Sequence, residues 1–172
     1  PKGVGALVVR QLNRPFELKP IFFGGEQEKR LRPGTLNVPG IVGLGEAFAI
    51  LKGDLKEECE RMHKLQDRLR NSIREKYPQV KLNGPIEKRL CNNLSFSFPD
   101  LHADDMALGL SGIAYSSGSA CNSGNAKPSH VLKALGVSDA MARSTLRLGW
   151  GRFTTEEQVS IVSDKLLKLL SK

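Results

Sequence analysis

Apolar positions recur at spacings of three and four from Leu55 to Ile73, where Leu55, Cys59, Met62, Leu65, Leu69 and Ile73 make one stripe amid charged residues. One buried face and one solvated face predict an amphipathic helix over 54–76, opened by Asp54 with Glu57 three residues on. Ahead of it, Val42, Phe48 and Leu51 among small residues predict a helix over 38–51, with Gly53 as the break between the two. At the other end, Thr154-Thr155-Glu156-Glu157 caps a last helix whose inner stripe is Val159, Val162, Leu166, Leu169 and Leu170. Shorter helices are predicted at 104–110 and 129–135, the second ended by Gly136.

Elsewhere the period is two or the apolar run is continuous. Leu94, Phe96 and Phe98 alternate with Ser95 and Ser97, predicting a strand with one face in the core. Residues 80–82 and 144–149 predict further strands, and Ala6-Leu7-Val8-Val9 a short buried one. Glycines and prolines at Gly24-Gly25 and Arg32-Pro33-Gly34 leave 11–39 irregular. Its arginines with Thr35 suit either an anion or plain solvent. Strands and helices mix throughout, so the class is α/β or α+β.

Composition narrows the possibilities. A chain of 172 residues with 40% hydrophobic content can bury the core of one domain, or of one domain with a piece of another. No apolar run approaches the length of a membrane span and no signal-peptide zones open the chain, which points to a cytoplasmic protein with no membrane partner. The chain begins at Pro1, inside what reads as a glycine turn running into a strand, as a piece of a longer protein would. Its three cysteines are odd in number, widely spaced and without a Cys-x-x-Cys pair, so free thiols are expected rather than disulfides or a zinc site. Cys59 belongs to the helix stripe and is assigned to core packing; His63, four residues on, is assigned to the surface. Asp104 and Asp105 are explained as acids in a first helical turn. The formal charge of +8 permits acidic partners, yet the positive residues are spread along the whole chain, so no direct nucleic-acid role is read from it.

One stretch stands apart. Ser116-Ser117-Gly118-Ser119-Ala120-Cys121-Asn122-Ser123-Gly124-Asn125 sets a thiol among small polar residues, between Gly112-Ile113-Ala114-Tyr115 and the helix start Pro128-Ser129-His130-Val131-Leu132. No apolar neighbours at helix or strand period surround Cys121, so burial as a small hydrophobe is not indicated. Residue types alone leave it open between a reactive thiol and an incidental loop cysteine.

Taken together, five co-linear segments resemble the C-terminal half of the NifS/IscS-type cysteine desulfurases, pyridoxal-phosphate (PLP) enzymes of the aspartate-aminotransferase fold. They are Pro1-Lys2-Gly3-Val4-Gly5-Ala6-Leu7; Gly24-Gly25-Glu26-Gln27-Glu28 to Arg32-Pro33-Gly34-Thr35; Ser116 to Cys121; Pro128 to Leu132; and Leu146-Arg147 with Gly151-Arg152-Phe153-Thr154-Thr155. The resemblance implies a small α+β C-terminal domain over 38–172, with helices packed on a mainly antiparallel sheet and the cysteine loop at about 112–128. Residues 1–37 would be the end of the large PLP-binding domain and a crossing loop, with little to pack against on their own.

The same resemblance implies that L-cysteine is converted to L-alanine while Cys121 takes the sulfur as a persulfide, for iron–sulfur cluster assembly or transfer-RNA thiolation. Arg147 matches the arginine that holds the substrate carboxylate. Thr35 matches a residue that reaches the cofactor phosphate of the neighbouring subunit, which implies a homodimer. An iron–sulfur scaffold or other sulfur-acceptor protein is the implied partner.

Departures from the family pattern bear on this. The family's Schiff-base lysine lies in a His-Lys pair a few residues upstream of Pro-Lys-Gly, so Lys2 does not match it and this chain alone is expected to be inactive. Asn122 stands where threonine is common, and Gly149-Trp150 where a serine and an apolar residue are common. The alternative is a non-catalytic persulfide carrier or interaction module without a PLP domain.

Overall fold

The computed structural model describes residues 1–10, 18–117 and 128–171. Within them the order is α1 (Val38–Lys76), β1 (Lys81–Leu82), β2 (Asn93–Ser97), α2 (Ala103–Gly109), β3 (Ser116–Ser117), α3 (His130–Ala134), α4 (Asp139–Arg143), β4 (Thr145–Gly149) and α5 (Glu156–Leu170), after a single 3-10 turn at Glu28–Arg30. The chain divides into two compact units, Pro1–Leu55 and Lys56–Lys172.

In the first unit the expected strand at Ala6-Leu7-Val8-Val9 does not form. Leu7 and Val8 are 77% and 86% exposed, and no described strand pairs with them. An isolated strand leaves its backbone groups to water, so an apolar run without a ladder partner gains nothing from extension. The irregular character of 18–37 is as expected, apart from the turn at Glu28–Arg30. Helix α1 starts where Asn37 Oδ1 accepts from the Gly40 amide at 3.1 Å, satisfying one orphan donor of the first turn. Pro39 sits in that turn, where its missing N–H costs nothing.

Gly53 does not break the helix, which runs unbroken through it to Lys76. A mid-helix glycine costs about 1 kcal/mol relative to alanine, too little to stop a helix flanked by good formers such as Leu51, Lys52, Leu55 and Lys56. It would end the helix only by taking a left-handed conformation, and Gly53 is not among the glycines with positive φ. By contrast Gly136, after α3, has φ +77° and closes that helix as expected.

The second unit holds a four-stranded antiparallel sheet in the order β1-β2-β4-β3, covered by helices, which is the architecture the family resemblance implies. From Met62 onward the α1 stripe is buried through Leu65, Leu69 and Ile73, whereas Leu55 at its start is exposed and Cys59 half-buried. Leu65, Leu69 and Ile73 meet Leu94, Phe96 and Phe98 of the β2 segment, Leu146 and Leu148 of β4, and Val159 and Leu166 of α5 in one core. Each such side chain removed from water contributes about 1.5–3 kcal/mol. Helix α2 packs close to α5 because Gly109 has no side chain: a Cβ there would lie 2.7 Å from Leu169 Cδ1.

The alternation in β2 is as expected on the core side, but Ser97 on the other face is also buried. Its hydroxyl accepts from Asn83 Nδ2 at 2.9 Å and lies 2.6 Å from Thr145 Oγ1, which donates to the Met141 carbonyl at 2.8 Å. A fully partnered hydroxyl chain of this kind carries no desolvation penalty left unmet. Helix α4 and strand β3 were not anticipated; five and two residues respectively are too few to show a period.

Helix α5 begins with a reciprocal cap. Thr155 Oγ1 accepts from the Gln158 amide at 3.2 Å and the Thr155 amide donates to Gln158 Oε1 at 3.1 Å, so the box is set by Thr155 and Gln158 rather than by Thr154 and Glu157. Thr155→Ala is expected to lower unfolding stability by about 1 kcal/mol, read by denaturant titration of the full-length protein, with Thr155→Ser restoring most of it. A loss as large in the Ser variant as in the Ala variant would show that the methyl group, not the cap, carries the effect.

Candidate active site

Arg147 is the middle residue of β4, and its guanidinium is exposed on the sheet face turned from the core. Alternation puts it there: Leu146 and Leu148 on either side are buried. Arg147 pairs in register with Ser95 of β2 on one side and with Ser116 of β3 on the other. Three polar residues thus lie in a row across the strands, and Arg147 Nη2 donates to Ser116 Oγ at 3.3 Å. Of five guanidinium N–H donors that bond engages one, so a planar fork remains for a carboxylate or phosphate.

Strand β3 is the link the sequence did not reveal. Small polar residues suggest that Ser116 and Ser117 start a loop, yet they form the edge strand beside Arg147. Ser117, the last residue of this strand, lies four residues before Cys121 in sequence. Cys121 itself lies outside the described residues.

A second residue missed by sequence reading is Arg61. Its Nη1 donates to the Thr154 carbonyl at 2.8 Å, and its Nη2 donates to the carbonyls of Arg152 at 2.8 Å and Gly151 at 3.3 Å. The Glu58 carboxylate, 3.3 Å away, pairs with the same guanidinium. One cation thus fixes the turn between β4 and α5, two residues beyond the arginine strand. On a helix otherwise rich in surface charge, nothing in the pattern marks Arg61 as different.

Thr35 lies in the first unit with an exposed side chain. It follows Gly34, whose φ of +104° is natural only to glycine and whose amide donates to Gln27 Oε1 at 3.0 Å. Just upstream, Glu28, Lys29 and Arg30 take φ of 50°, 58° and 65°, a left-handed turn of three residues with side chains. Such a turn costs about 1–2 kcal/mol per residue. Arg30 forms an ion pair with Glu26 across it.

Two cavities of the second unit are small, about 150 Å³ between α1 and α5 and about 90 Å³ beside Trp150, and Arg147 lines neither. Arg147 is exposed. Among the described residues no group of three or more His, Cys, Asp or Glu side chains is arranged to hold a metal ion, and no helix is long and apolar enough to cross a membrane.

Residues 1–162 match the family model described as aminotransferase class-V. The chain is similar to the cysteine desulfurase IscS of Shewanella amazonensis, 47% identical over 159 residues that make up 92% of this chain and 39% of that protein. It is similar as well to the cysteine desulfurase IscS of Mannheimia succiniciproducens, 42% identical across the whole chain and 42% of that protein. Among solved structures, the NifS-like protein from Rickettsia africae matches with a TM-score of 0.76 at 30% identity, covering 91% of this chain and 41% of that one. The chain spans about two-fifths of the length of the curated relatives it matches.

Proposed function

The chain belongs to the class-V aminotransferase family, and from that premise we propose that the full-length protein is a PLP-dependent cysteine desulfurase that converts L-cysteine to L-alanine and holds the sulfur as a persulfide on Cys121. The observation that carries this reading is the pairing of Ser116 with Arg147, which starts the cysteine stretch next to an exposed guanidinium fork. The similarity to two proteins named cysteine desulfurase supports it.

Each residue has a distinct task. Arg147 binds the substrate's α-carboxylate through its planar fork, with Ser116 holding one edge of the guanidinium. Arg61 keeps the turn after β4 in place and is a positioning residue. Cys121 attacks as the thiolate, since the thiol is a poor nucleophile. An S–S bond to the substrate sulfur forms while the substrate's C–S bond breaks, and the electron pair left on carbon takes up a proton to give alanine.

The residues present fit the edge of PLP rather than its whole envelope. Thr35 offers an exposed hydroxyl on a backbone turn braced by Gln27, chemistry that suits a phosphate oxygen. We assign it to the phosphate of a cofactor held by a neighbouring subunit, which makes the active site a property of a homodimer. When bound, PLP supplies the electron sink that loosens the C–S bond. Residues 1–37 then belong with the large cofactor domain and 38–172 form the small domain. The Schiff-base lysine would be carried by the rest of the protein, and these residues alone would be inactive. A sulfur-acceptor protein, such as an iron–sulfur scaffold, receives the persulfide in the cytoplasm.

The test is direct. Full-length protein incubated with L-cysteine, alkylated and digested, is expected to show a gain of one sulfur atom on the Cys121 peptide and none on the peptides holding Cys59 and Cys91. Sulfur on either of those peptides instead would overturn the assignment.

A further inference from the structure

Two cysteines remain outside the proposed reaction, and they lie together with a methionine. Cys59 and Met62 are three residues apart on α1, so their side chains share one face of the helix. Cys91, in the segment before β2, brings its thiol to 3.8 Å from Met62 Sδ. Met62 is buried at 8% exposure, whereas both cysteines are free and half-buried, so the cluster has a dry floor and an accessible rim. Burial pushes the Cys91 thiol above its ordinary range, and the neighbouring Cys59 thiol pushes it the same way. The two thiols are therefore near enough to sense each other.

We propose that Cys59, Met62 and Cys91 form a binding site for one soft monovalent metal ion, Cu(I) or Ag(I), held by two thiolates and a thioether. Ligand chemistry selects the ion. A thioether is a poor partner for zinc, magnesium or calcium but a good one for monovalent copper or silver, and three sulfurs suffice for their low coordination numbers. Zinc would need further imidazole or carboxylate ligands, and no such group of three completes the site among the described residues.

The charge balance is simple. Two thiols lose their protons, one cation enters, and three metal–sulfur bonds form without any change of oxidation state, so the cluster gains one negative charge. The Glu58 carboxylate acts on Cys91, and its pairing with Arg61 limits the repulsion that this added charge meets. Burial holds the Cys91 thiol protonated while the site is empty. That also makes it a weak nucleophile, which separates it from the reactive cysteine.

The experiment uses full-length, reduced protein with Cys121 replaced by alanine, so that the proposed sulfur acceptor does not contribute a ligand. Titration with Cu(I) against a coloured chelator is expected to give one equivalent bound, with two protons released. Cys91→Ser should lower affinity at least about 100-fold, and the nearly isosteric Met62→Leu, which keeps the core filled, about 10-fold. Unchanged Cu(I) affinity in either variant, with its melting temperature retained, would overturn the proposal. So would Zn(II) binding as tight as Cu(I).

Discussion

Cys121→Ala in the full-length protein is expected to lower the rate of alanine formation from L-cysteine by at least about three orders of magnitude, since nothing else replaces the lost nucleophile. Substrate affinity should change little, because the carboxylate is held by Arg147 and not by the thiol. Cys59→Ser and Cys91→Ser make the internal comparison. Cys91 sits beside Met62 in a partly desolvated cluster that pushes its thiol up, so at neutral pH it is protonated and a poor attacker. Both variants should therefore keep near-normal turnover. A Cys121→Ala enzyme that still released alanine at the parent rate would remove this residue from the chemistry, whatever its neighbours.

The sequence made some parts of this site plain and hid others, for reasons tied to particular residues. Arg147 is singled out by the family resemblance, and the strand pattern adds only its direction: Leu146 and Leu148 face the core, which forces the arginine outward. The β2 alternation and the buried half of α1 were legible from a period long enough to count. Strand β3 was not, since two serines carry no hydrophobic signal and become a strand only by pairing with β4. Arg61 was hidden because its partners lie ninety residues away, at the carbonyls of Gly151, Arg152 and Thr154. A helix-surface pattern says nothing about which distant backbone a charged side chain will reach.

Two expectations failed for a common cause. Gly53 and the Ala6–Val9 run were judged from local composition, but their state depends on what lies beside them. The glycine sits within a helix whose flanking residues outweigh a cost of about 1 kcal/mol. The apolar run lacks a described strand to join, so its side chains stay exposed. Local propensity is a weak prior whenever tertiary partners decide the outcome.

Arg147→Lys separates charge from shape. Lysine keeps the positive charge but gives up the planar fork, so one of two charge-assisted bonds to the substrate carboxylate is lost, about 2–3 kcal/mol, or roughly a 100-fold fall in kcat/KM for L-cysteine. Most of that fall should appear in KM, because the carboxylate is held alike before and during C–S cleavage and takes no part in the bond change. Ser116→Ala should act in the same direction but weakly, within about fivefold, since it removes one 3.3 Å bond to the guanidinium and leaves the fork itself intact. Steady-state kinetics of the full-length variants decides the matter. If kcat fell while KM held, Arg147 would be acting on the reacting centre, and a role confined to holding the carboxylate would have to be given up.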